Sequence, residues 1–294
     1  MILQLEMRYS MIQIAGIPFQ QNEEWPSGSI ENKIIQQMHN DKLVYLYQSI
    51  EELSFELKLR KSIMASARAM NQGDAQFDTL ANSLSNPQYW ILTKAGGFQL
   101  RPDKSPSDAI QDIFENSSHY TFECATAIII IYYHAILNSI DKNVFDQLFQ
   151  NIYLYSWHAD PDLSLQSIRT NHFIPGDVVY FNNPDFNPET SWWRGENAIV
   201  LEDGTYFGHE LGIMTAEQII EELNKWRMPG SNQSAYLTNK VLRPSFNHLA
   251  AITMFPRGYT TYKTQHFAIH HKESSISYDR YLFYLHTTFI NPFL

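Results

Sequence analysis

The residue with the clearest capacity for covalent chemistry is Cys124, the single cysteine among 294 residues. It stands in Phe122-Glu123-Cys124-Ala125-Thr126-Ala127, just before the apolar run Ile128-Ile129-Ile130-Ile131-Tyr132-Tyr133. This pattern predicts a buried helix carrying the thiol in its first turn. The unpaired N–H groups and positive dipole end of a helix stabilise a thiolate, the nucleophilic form of sulfur. The competing reading is an inert, buried thiol, which composition alone favours by roughly two to one. A nucleophilic cysteine also needs a base, and a strand passing the helix is where the base is expected.

The elements that must position such a site are legible in outline. Ser49-Ile50-Glu51-Glu52 reads as a capping box opening a helix to about Met70, with Ile50, Leu53, Leu57, Met64 and Ala67 on one face and Glu56 paired to Arg60 at i, i+4. Tyr89-Trp90-Ile91-Leu92 and Phe98-Gln99-Leu100 flank Ala95-Gly96-Gly97 as a hairpin, and Ser105-Pro106-Ser107-Asp108 caps the next helix. After the cysteine helix, strands are predicted at Ile152–Tyr155, Pro175–Phe181, Asn197–Leu201 and Thr205–Phe207, the last two joined by Asp203-Gly204. Thr215-Ala216-Glu217-Gln218 opens a further capped helix, which Pro229-Gly230 stops. A nucleophile-bearing helix followed by an antiparallel sheet is the α+β layout of the papain-like cysteine hydrolases and transferases. In the related NlpC/P60 peptidases a similar Gly-Asp-Val-Val-Tyr-Phe strand precedes one that opens with the catalytic histidine. Here Trp192-Trp193-Arg194-Gly195-Glu196-Asn197 occupies that place, and a carboxylate stands where the base belongs.

Composition excludes several alternatives. Net charge is −10, with 21 Lys and Arg dispersed along the chain, which argues against a nucleic-acid surface. One cysteine allows neither an internal disulfide nor CxxC metal spacing, and this fits a reducing compartment. No positive segment leads into an apolar stretch at the N-terminus, Met11 offers an alternative start, and Ala125–Leu137 is well short of the ~20 residues that span a bilayer. The expectation is no membrane partner. His266, His270 and His271 lie in a tail read as irregular and lack the Glu of HExxH, so no metal and no cofactor are expected.

Three segments carry a specific resemblance. Phe122-Glu123-Cys124-Ala125-Thr126-Ala127-Ile128, Trp193-Arg194-Gly195-Glu196-Asn197 and Tyr206-Phe207-Gly208-His209-Glu210-Leu211-Gly212-Ile213 resemble the spore-coat transglutaminases of endospore-forming bacteria in order and spacing. Weaker agreement extends over Phe55–Arg60 and Gln233–Leu237. The resemblance implies a transglutaminase domain over residues 11–245, followed by a C-terminal extension, 246–294, of unassigned role. It implies a papain-like core and calcium-independent cross-linking of glutamine- and lysine-bearing spore coat proteins. The enzyme is expected to be a monomer, located in the mother-cell cytoplasm during sporulation and then in the coat. By the resemblance, Cys124 matches the nucleophile, Glu196 the base, Glu123 a second carboxylate sharing that role, and His209 an active-site histidine. Phe77, Trp157 and Trp193 match aromatics of a substrate tunnel. Two other readings remain at this stage, a peptidase of the NlpC/P60 kind and a non-catalytic coat protein in which Cys124 is core.

The implied chemistry is attack of sulfur on a glutamine carboxamide, loss of ammonia, and opening of the γ-glutamyl thioester by a lysine amine. A free carboxyl and a free thiol differ by about four pKa units, roughly 6 kcal/mol against proton transfer. Burial has to narrow that gap, and Glu123 beside Cys124 opposes a thiolate. The resting thiol is therefore predicted to be largely protonated near neutrality; a thiolate absorbance titration placing Cys124 below about pH 5 would contradict this.

Overall fold

The computed structural model describes residues 11–20, 24–254, 268–271 and 274–277. Strands β1 (Ile12–Ile14) and β2 (Ile17–Pro18) precede helix α1 (Ile30–Asn40) and strand β3 (Tyr45–Tyr47), and these strands form a small sheet. The 23-residue helix α2 (Ile50–Gln72) leads to β4 (Gln76–Phe77), the hairpin β5 (Trp90–Leu92) and β6 (Phe98–Leu100), and α3 (Pro106–Glu115). Strand β7 (Thr121–Phe122), paired parallel with β4, runs into α4 (Cys124–Leu137), then α5 (Lys142–Leu148) and β8 (Tyr153–Leu154). The second half holds β9 (Gln166–Arg169), β10 (Val178–Asn182), β11 (Gly195–Val200), β12 (Tyr206–Gly208), β13 (Gly212–Met214), α6 (Ala216–Lys225), β14 (Tyr236–Arg243) and α7 (Phe246–Met254). A last hairpin pairs β15 (Ala268–His271) with β16 (Ser274–Ser277).

The main sheet runs β13-β12-β11-β10-β14-β9, each neighbour antiparallel. Residues alternate between its faces. Val178, Ile199 and Phe207 join the main core with α2 and α4, whereas Val179, Ala198 and Val200 pack with Ile219 and Leu223 of α6. Helix α4 is apolar on every side because it is enclosed on every side, and Ala125 to Ile136 are all buried. The α+β, papain-like layout read from the sequence is the observed one, with the cysteine helix packed on an antiparallel sheet.

Local signals are realised with small changes. Ser49 accepts the Glu52 N–H at 3.4 Å, but the Glu52 carboxylate reaches back to the Gln48 N–H at 2.6 Å, one residue earlier than a capping box requires. The box at Thr215 and Gln218 is complete. The Glu56–Arg60 pair, expected from its i, i+4 spacing, forms and is buried. Arg60 donates to Glu56 at 2.8 Å, to Asp177 at 2.9 Å and to the Pro175 carbonyl at 3.0 Å. Arg243 meets the other Asp177 oxygen at 2.8 Å, and Tyr47 donates to Glu56 at 2.8 Å. Gly176, at φ +88°, completes this clamp, because a Cβ there would lie 3.2 Å from the Arg60 Cα in a conformation L residues rarely adopt.

Two expectations about the C-terminal part require correction. The boundary at residue 245 cuts through packed structure. Phe246, Leu249, Ala250 and Ile252 of α7 belong to the main core, and the Arg60 guanidinium lies 4.4 Å from the Phe246 ring centroid. The core therefore extends past Ser245. The segment around His270 and His271, read as irregular, is a strand, with those residues opposite Ser275 and Ser274; His266 lies outside the described residues. Burial of a large apolar side chain contributes about 1.5–3 kcal/mol, so a chain ending at Ser245 should melt well below one ending at Met254 in circular dichroism. Equal melting temperatures would place α7 outside the cooperative core.

Candidate active site

Strand β7 delivers Cys124 to the first position of α4, and Glu123 is the N-cap residue. The Glu123 carboxylate accepts the Ala125 N–H at 2.9 Å, the Thr126 N–H at 2.7 Å and the Thr126 hydroxyl at 2.8 Å. That hydroxyl in turn accepts the Ser156 N–H at 2.8 Å, tying the turn before Trp157 to the start of the cysteine helix. Cys124 keeps part of its surface exposed. Its thiol lies 3.7 Å from Glu123 Oε2, and Asn197 Nδ2 donates to the sulfur at 3.4 Å.

Glu196 and Asn197 are neighbours on β11 and so point to opposite faces of the sheet. Asn197 shares the α4 face with Ile199; Glu196 shares the other with Ala198. Glu196 is 3% exposed, and its Oε1 has no hydrogen-bond partner. The carboxylate fits only because residue 208 is glycine, since a Cβ there would meet Oε1 at 2.6 Å. The backbone N–H of His209 favours the charged form of this carboxyl group. Glu196 thus acts on Cys124 through charge, with no direct hydrogen bond between them among the described residues.

Burial and like charges dominate the electrostatics. Burial, then the charges of Glu123 and Glu196, pushes the Cys124 thiol well above its ordinary value, with Asn197 and Arg194 opposing. Burial and the neighbouring Glu210 raise Glu196 strongly, and burial raises Glu123 against the hydrogen bonds it accepts from Ala125, Thr126 and Cys124. Glu210 is pushed up to about 7 by burial, Glu222 and Asp78. Thiol and carboxyl rise together. Burial thus raises the proton affinity of the thiol and of both carboxyl groups together.

The other expected residues separate into groups. His209 stacks on Phe122 with centroids 4.6 Å apart, meets Phe77 edge-on at 6.2 Å, and places Nε2 3.3 Å from the Gln76 carbonyl. Burial lowers its pKa to about 4, so it is a neutral ring near pH 7. Phe77 and His209 thus come together beside the strand that enters the cysteine helix. Trp157 is buried in the main core and borders a small cavity with Val178, Val179, Val241 and Leu242. Trp193 lies in the second core cluster, face to face with Trp226 at 4.9 Å. Asn197 is the residue that sequence reasoning left without a role, although it lies beside Glu196 in the motif; strand alternation was the signal that it would face the helix.

The chain is similar along most of its length to proteins of one family. The family model described as protein-glutamine gamma-glutamyltransferase matches residues 11–253. A protein of that name from Halalkalibacterium halodurans is 50% identical over 279 residues, covering 95% of this chain and 98% of the relative. This chain belongs to the protein-glutamine gamma-glutamyltransferase family. It is a transglutaminase, an acyltransferase. A relative of the same name from Bacillus mycoides is 45% identical over 226 residues, 77% of this chain and 82% of its own. A transglutaminase from Geobacillus stearothermophilus, solved without its C-terminal extension, superimposes with a TM-score of 0.67 at 46% identity, covering 69% of this chain and 97% of that one.

The sign of the Glu123 effect on this transglutaminase is testable. A negative charge beside the sulfur disfavours the thiolate, so Glu123→Gln should let it form at lower pH. The pH profile of iodoacetamide alkylation should move down. A profile that stays in place or moves up would show that Glu123 does not oppose ionisation.

Proposed function

We propose that this transglutaminase forms ε-(γ-glutamyl)lysine isopeptide bonds between spore coat proteins, without calcium, through a thioester on Cys124. The observation that carries the reading is the Cys124 thiol at the first turn of α4, donating toward Glu123 at 3.7 Å and under the charge of buried Glu196. Sulfur attacks the glutamine γ-carbonyl carbon, the S–C bond forms, the C–N bond breaks, and ammonia leaves with a proton supplied by a carboxylic acid. The lysine amine then attacks the thioester and gives a proton to the carboxylate. The C–S bond breaks, and the thiol is restored.

In this reading Glu196 is the principal base. Its burial and its neighbour Glu210 raise its proton affinity. Glu123, 3.7 Å from the sulfur, shares the role. Its three hydrogen bonds hold it as a cap and limit its freedom to move. His209, neutral and stacked, forms with Phe77 a wall beside the site instead of a base; Trp157 and Trp193 complete the substrate-binding set taken from the resemblance. The partners are glutamine- and lysine-bearing coat proteins, and a net charge of −10 favours lysine-rich ones. A monomer acting first in the mother-cell cytoplasm and then in the spore coat follows from the same resemblance.

Incorporation of a fluorescent primary amine into a glutamine-rich protein, with a calcium chelator present, tests the proposal. The native chain should be active, Cys124→Ala inactive, and Glu196→Ala slower by about 10²-fold, with the residue carried by Glu123. Incorporation that needs calcium, or that survives Cys124→Ala, would overturn it.

A further inference from the structure

Among the described residues, the sulfur of Cys124 has two side-chain hydrogen-bond neighbours of opposite kinds. Glu123 Oε2, 3.7 Å away, is an acceptor for the thiol proton. Asn197 Nδ2, 3.4 Å away, is a donor to the sulfur lone pair. A helix N-terminus ordinarily supplies donors to a thiolate from its free N–H groups. Here Glu123 has taken two of them, since the Ala125 and Thr126 N–H groups both point into its carboxylate. The cap that starts the cysteine helix therefore removes donors that the sulfur would otherwise use, and it adds a negative charge beside it. Glu196 adds a second.

We propose that Asn197 is the catalytic hydrogen-bond donor to the Cys124 thiolate, holding the negative charge on sulfur in the interval between proton loss and attack on the carboxamide. The inference rests on Cys124 being the nucleophile. When the thiol proton passes to a carboxylate, the electron pair stays on sulfur, and a hydrogen bond to a charged acceptor strengthens relative to one to a neutral thiol. Asn197 is suited to this work. Its amide is uncharged at every working pH, it is 6% exposed, and β11 is hydrogen-bonded on both sides by β10 and β12. A cation in its place would pair with Glu123 or Glu196; a neutral donor supports the thiolate without neutralising the carboxylates that must collect protons. Pleating then gives adjacent residues of one strand separate duties, Glu196 for the proton and Asn197 for the sulfur.

Because the chain has one cysteine, iodoacetamide reports on Cys124 alone. Asn197→Ala should alkylate about tenfold more slowly at neutral pH, the effect of losing one hydrogen bond to a charged group, while Asn197→Asp, nearly isosteric but adding a third carboxylate, should be slower still. In amine incorporation the loss should fall on kcat, with KM for the glutamine donor unchanged. In the unaltered protein, the side-chain amide protons of Asn197 should shift in nitrogen-15 NMR with the midpoint of Cys124 ionisation, and this shift should vanish in Cys124→Ala. The last measurement does not depend on either Asn197 variant folding. Native alkylation rates in both folded variants, or an Asn197 amide signal that ignores Cys124 ionisation, would overturn the proposal. If Cys124→Ala kept its cross-linking activity, the nucleophile assignment would fail, but the alkylation and NMR data would still decide whether Asn197 donates to sulfur.

Discussion

Four buried charges hold the two halves of this protein in register. Asp177 receives Arg60 on one oxygen and Arg243 on the other, and Glu56 receives the remaining face of Arg60 together with the Tyr47 hydroxyl. Two carboxylates and two guanidiniums balance, and none of the four residues is more than 7% exposed. Removing one partner of such a set leaves an uncompensated buried charge, which costs about 3–5 kcal/mol. The network joins α2 to the start of β10 and the end of β14, and through the Phe246 ring it also seats α7. Helix α4 packs against α2, and its Tyr132 hydroxyl donates to the Leu242 carbonyl at 3.1 Å, so the cysteine helix and the sheet share one frame.

That frame decides which strand residues meet the thiol. Tyr180 of β10 lies opposite Asn197, and Phe181 lies opposite Glu196. A one-residue slip of β11 would turn Asn197 to the other face of the sheet and take its amide off the sulfur. The distance between the buried salt-bridge network and the active site is thus bridged by strand register, a rigid and discrete quantity.

The site itself is built on opposition. Carboxyl groups on several sides raise one another's proton affinity and that of the thiol, while Asn197 and the charge of Arg194 pull the other way. His209, lowered to about 4 by burial and stacked on Phe122, is a neutral ring near neutrality.

Much of this was legible in the chain. The cap at Ser49, the hairpin at Gly96, the Pro106 helix start, the cysteine at a helix N-terminus and the Asp203-Gly204 turn are local signals, fixed by backbone sterics and by side chains within four residues of one another, and each forms where expected. The family segments, read in order, pointed to the transglutaminase. The extent of the core past Ser245, the burial of the Glu56–Arg60 pair and the contact of Asn197 with sulfur were decided by tertiary structure. Each depends on a partner tens of residues away: 117 positions separate Arg60 from Asp177, and 73 separate Cys124 from Asn197. Periodicity shows that a side chain has a face. Only the folded sheet and its register determine what stands opposite that face.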